Sequence, residues 1–168
     1  MRKLVILKSL IDFIWFITCL PLALLALVFL VLFLLNAEVL TLAPWMDSLE
    51  NSSEVIAQIY AVIVVVLIYV GIYCFYLFRK TIRYFMKVKP FHLDVIQNFN
   101  RIGNLLCIIG IVGGILVFLG RVVFESEIKI NLGISPYLIL VCMGLFFMVL
   151  SEVFKLAKHA KEENDLTV

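Results

Sequence analysis

The side chains able to hold a metal or carry acid–base chemistry are few and scattered: the histidines His92 and His159, and the cysteines Cys19, Cys74, Cys107 and Cys142. Zinc hydrolase chemistry needs ligands at a helical spacing such as HExxH, which puts two imidazoles on one helix face with an acid beside them. His92 and His159 lie in separate polar segments without that spacing. A GxSxG nucleophile motif and paired aspartates inside an apolar run are also missing from the sequence. The cysteines fall one in each hydrophobic run, with no CxxC pair, so a disulfide framework is not expected. At about 1.5 Å per helical residue, Cys142 lies near the middle of its run whereas Cys74 and Cys107 lie near the ends of theirs. They read as small packing residues rather than one ligand set. The expectation is a protein with no catalytic, cofactor or metal site, and no enzyme.

The elements around these residues belong to a membrane. A chain that is 64% hydrophobic and 15% charged, with mean hydropathy +1.14, lies outside the range of soluble domains. Spans are expected at about 13–35, 55–78, 102–124 and 132–154, making one all-α domain over 1–168 with an inner loop at 79–101 and a tail at 155–168. The net charge of +2 conceals an asymmetry. The presumed outer segments, 36–54 and 121–135, hold only Arg121 and Lys129 among the basic residues, so the positive-inside bias puts the loop and both termini in the cytoplasm.

Taken in order, the first run contains Pro21, where the missing N–H and the ring predict a kink. A basic start also describes a secretory signal, but the run's length and the lack of a convincing cleavage site favour a retained helix. The first outer loop carries Glu38, Asp47, Glu50 and Glu54 with no cation, and reads as a solvated face; Trp45 suits the membrane interface. The second run ends in Tyr69, Tyr73, Phe75, Tyr76 and Phe78 beside Arg79 and Lys80, an interfacial anchor, with hydroxyls facing a cavity as the alternative. Lys89-Pro90 breaks the helix. A short amphipathic helix with Val95, Phe99, Ile102 and Leu106 on one stripe is then expected to lie along the inner leaflet before the third span. That span places Gly103, Cys107, Gly110 and Gly114 on one face, which predicts close helix packing, either within the bundle or in a homodimer. Pro136 suits a first helical turn, and the last helix is expected to run past Glu152 into the cytoplasm.

Two stretches carry a resemblance. Lys89-Pro90-Phe91, then Val95, then Arg101-Ile102-Gly103 resembles the loop before the third helix of the bacterial membrane-protein family catalogued as domain of unknown function 2975. Glu152-Val153-Phe154 and the ending from Lys161 to Val168 resemble that family's C-terminus. The resemblance implies a bacterial inner-membrane protein without a known reaction, often encoded beside a small helix-turn-helix DNA-binding regulator. One departure is His92, which stands where the family often has a helix-capping hydroxyl.

These features lead to a membrane-bound regulatory partner that docks such a regulator on its inner face through Pro90, Phe91, Val95, Arg101, Glu162, Glu163, Asp165 and Leu166. The other partners expected are lipid and, through the small-residue face, a second copy of the chain; the basic loop is better explained by orientation and anionic lipid than by direct contact with nucleic acid. The alternative is a small transporter or permeation protein for an apolar compound. Ion-coupled transport needs an ionisable group within the membrane, and Asp12, Arg121 and Glu152 all sit at span ends.

Overall fold

An apolar run in lipid must satisfy its own backbone polar groups, and a helix is the one way a single segment can do so. The computed structural model describes residues 2–35, 54–86, 92–121 and 135–166. Helices fill these segments: α1 (Arg2–Ile14), a π-helical turn at Trp15–Cys19, α2 (Leu20–Leu35), α3 (Glu54–Met86), α4 (Leu93–Gly120) and α5 (Pro136–Leu166). Four stretches, Val5–Phe33, Gln58–Met86, Leu93–Gly120 and Pro136–Asn164, are long and apolar enough to cross a membrane. No strand occurs among the described residues. The first outer loop as far as residue 53, most of the second, and Pro90 and Phe91 lie outside them.

The first span runs through Pro21 in a continuous helical path. Proline cannot donate to the carbonyl four residues back, and its ring crowds that carbonyl. The chain widens just before it into the π turn, with the Leu20 N–H bonded to the Trp15 carbonyl. The expected disturbance at Pro21 therefore takes the form of a π turn.

α5 begins at Pro136, a few residues past the expected edge of the fourth span near 132, which puts the proline in the first turn that suits it. Pro136 is the first helical residue, the Ser135 hydroxyl accepts from the Tyr137 N–H at 3.2 Å, and the Ser135 carbonyl accepts from Leu138 at 3.0 Å. Proline at that position loses no bond, because the first-turn N–H groups have no partner inside the helix.

α4 and α5 form the closest pair, α3 packs on α4, and α1 and α2 pack on α3. The α4–α5 seam is built from small residues. A Cβ placed on Gly103 would stand 2.6 Å from the Gly144 carbonyl oxygen, and one on Gly110 would stand 2.8 Å from the Tyr137 carbonyl oxygen. Cys107 fills the turn between them, its thiol 3.7 Å from the Val141 carbonyl. Further along, Gly113 rather than Gly114 receives the Tyr137 ring, and a Cβ on Gly114 would make only ordinary contact at 3.6 Å. Thus Gly103, Cys107 and Gly110 face an internal partner helix.

The stripe on the amphipathic segment meets protein instead of lying along a leaflet. α4 is one continuous helix from Leu93, and Val95, Phe99 and Ile102 are buried. Phe99 stacks on Phe147 and Phe154 and meets Phe85 edge-on, with ring centroids 5.8, 5.5 and 6.2 Å apart. Rings from α3 and α5 give this stripe a packed apolar surface, so no separate surface helix forms.

Candidate functional site

Three polar contacts across helices lie at one end of the bundle, where α1 starts, α3 passes to α4 and α5 ends. Arg79 on α3 pairs with Asp12 on α1, both largely buried at 16% and 27% side-chain exposure. Its guanidinium also sits 5.7 Å from the ring centroids of Trp15 and Phe16, and Trp15 in turn stacks on Phe75. A planar, weakly hydrated cation suits such a slot.

The second contact fixes the passage from α3 to α4. The Tyr84 hydroxyl donates to the Asp94 carboxylate at 2.7 Å, and the Tyr84 ring stacks on His92. His92 is the cap of α4: its extended backbone offers its carbonyl to Val95 at 3.0 Å, and its Nδ1 accepts from the Asp94 N–H at 3.2 Å. An imidazole thus does the work of the hydroxyl that the resemblance led one to expect there. His92→Ala is expected to cost about 1 kcal/mol, the usual scale of a lost cap, and His92→Ser to restore most of it, read as stability to unfolding in mixed micelles. Equal stability of all three proteins would show that the cap contributes nothing.

The third contact joins α4 to α5. The buried Ser151 hydroxyl donates to the Ile96 carbonyl at 2.7 Å, next to the aromatic cluster. Asn98 is also buried here, at 4% exposure, and its amide nitrogen has no hydrogen-bond partner among the described residues. Beyond Ser151 the two helices border an open groove of about 580 Å³. Leu93, Ile96, Gln97 and Asn100 line it from α4; Glu152, Lys155, Lys158, His159 and Glu162 line it from α5. The apolar run of α5 ends at Ser151 and that of α4 begins at Ile102, so the groove lies beyond the hydrocarbon layer.

Several residues singled out from the sequence fall here and others do not. Glu162 lines the groove and pairs with Lys158 at 3.4 Å, Arg101 is exposed on α4, and Glu163 is exposed on α5. Val95 is fully buried, at 0% exposure, so it belongs to the core and cannot meet a partner. Its place on the stripe that packs inward is the physical reason. Asp165 and Leu166 are in the last turn of α5, with side chains outside the described set, as are Pro90 and Phe91 altogether. Sequence reasoning missed Leu93, Ile96, Gln97, Asn100, Lys155 and Lys158 as one surface. The available signal was the polar face of the same amphipathic segment, which had been weighed for its apolar side.

Among the described residues no three His, Cys, Asp or Glu side chains converge as metal ligands. The aromatic anchor on α3 divides its work. Tyr69 donates to the Ala23 carbonyl on α2 at 2.9 Å, Tyr73 and Tyr76 stack at the exposed surface, and Phe78 meets Phe147 edge-on. What this end offers chemically is a set of neutral and charged hydrogen-bonding groups above an apolar floor.

No curated protein and no solved structure matches the chain. The family model described as "Protein of unknown function (DUF2975)" matches residues 13–168, which include all four apolar spans almost entirely, and the chain therefore belongs to that family.

Proposed function

We propose that this protein is a membrane-bound regulatory partner whose charged end faces the cytoplasm and holds a small helix-turn-helix DNA-binding regulator. The observation that supports the reading is the groove between α4 and α5, outside the apolar layer and open to water. α5 is 31 residues long, well beyond the roughly 20 that a bilayer requires, so its final turns serve something other than spanning. The excess of Lys and Arg at this end supports its cytoplasmic orientation in a bacterial inner membrane. In this reading the protein is not an enzyme, and it acts by withholding or releasing the regulator.

In-cell photo-crosslinking from Gln97 and Lys158 tests the proposal, with lipid-facing Ile139 as the control position. Capture of a DNA-binding regulator at the two groove positions and not at Ile139 is the expected result. Capture of lipid alone at all three positions would remove the basis for docking.

A further inference from the structure

The groove is selective in a way that describes its occupant, on the premise that it is the docking surface proposed above. Both walls are helices, and no exposed sheet edge exists among the described residues to pair with an added strand. From Ser151 to Glu162 the α5 wall rises about 16 Å at 1.5 Å per residue, the length of three helical turns. Leu93 is 54% exposed at the mouth and Ile96 lies beside it, giving an apolar floor. An amphipathic helix is the element that fits a floor of this kind between two helices.

Charge then narrows the class. Lys158 is engaged by Glu162, but Lys155 meets no acid among the described residues. Asp12 is neutralised by Arg79, whereas Asp94 keeps its charge beside the neutral Tyr84 hydroxyl. The segments 1–12, 79–101 and 152–168 together carry 12 Lys and Arg against 6 Asp and Glu, and Arg101 and Lys161 are exposed on the groove's own two helices, so the field at this end is positive. Glu152 and Glu162 are the acids of the lining, Glu162 engaged by Lys158 and Glu152 one turn nearer the membrane than Lys155.

We infer that the docking element is an acidic amphipathic helix of about three turns, seated with its apolar stripe on Leu93 and Ile96. Its carboxylates meet Lys155 and the rim cations, and a basic residue at its membrane-proximal end meets Glu152. Electrostatic pairing of this sort sets orientation and association rate more than final affinity, so charge reversal reports on it directly.

The test uses the full chain in phosphatidylcholine nanodiscs, with protein-free discs as the blank. Synthetic helical peptides share one leucine stripe and differ only in flanking Glu, Gln or Lys. The Glu peptide is expected to bind roughly tenfold more tightly than the Gln peptide at low salt, with the Lys peptide weakest. A Lys155→Glu, Lys158→Glu protein should reverse that order. Equal binding of the peptides, or an order unchanged by the double substitution, overturns the inference. So does loss of Glu-peptide binding when phosphatidylglycerol is added to the discs at constant salt, because the lysines would then be facing lipid headgroups. The two ideas fail separately: a regulator captured by crosslinking without any peptide preference removes the acidic helix and leaves docking standing. The expected peptide order with no regulator captured upholds the acidic helix and removes the regulator.

Discussion

Gly103→Ala is expected to destabilise the α4–α5 pair by about 2–3 kcal/mol, because the added methyl meets a backbone carbonyl that cannot rotate away. Its Cβ would stand 2.6 Å from the Gly144 oxygen and 2.7 Å from the Met148 side chain. Gly144→Ala addresses the same approach from the other side, at 2.6 Å from the Cys107 sulfur and 2.7 Å from the Gly103 oxygen. Once the helices have separated for one methyl they accommodate the other, so the double variant should lose clearly less than the sum of the singles. Gly71 supplies the control. A Cβ there meets nothing within 4 Å, and Gly71→Ala should leave stability unchanged or slightly raised. Unfolding in mixed micelles, followed by helical signal, measures all four. A Gly103→Ala protein as stable as the parent would mean that this seam is not the close contact described here.

The second large effect belongs to Asp12. Replacing it by alanine strands the Arg79 guanidinium, 16% exposed, in a slot made by Trp15 and Phe16. A fully buried pair broken on one side costs about 3–5 kcal/mol, and the partial exposure of both groups brings the expectation down to about 1–3 kcal/mol. Removing both charges, as Asp12→Ala with Arg79→Met, should recover most of that loss, since no unpaired ion then remains. Arg79→Lys should not behave as the parent, because an ammonium lacks the flat face that lies against the two rings. Trp15 reports on the slot directly: in a Trp45→Phe background its emission should shift for Asp12→Ala and return towards the parent in the double variant. An unmoved emission in every variant would separate Trp15 from the pair.

This pair also shows why some of the site was not legible in the chain. Asp12 and Arg79 read as two span-end charges, far apart in sequence, and each has an adequate explanation alone. Only the packing of α1 against α3 turns them into partners. His92 gave a mixed signal for a related reason. Its chemistry allows a cap, but the cap exists because the backbone there is extended and Nδ1 is turned to the Asp94 N–H. The packing face of α4 was better legible, since small residues at spacings of four and three must share a helix side whatever surrounds them. Even so, the spacing could not say whether the partner was α5 or a second copy, and Gly144, half of the contact, stood in a different run.

Membrane class, helix type, the number of spans and the fitness of Pro136 for a first helical turn were determined by the sequence alone. Each follows from local chemistry: apolar length against bilayer thickness, the obligation of every backbone N–H in lipid to find a partner within its own segment, and the fixed φ of proline. The groove, the Arg79 slot and the burial of Val95 were decided by tertiary structure. Those depend on which faces of separate helices meet, and among apolar stripes of similar composition that choice is made by side-chain shape and interhelical hydrogen bonds, which no single stretch of sequence contains.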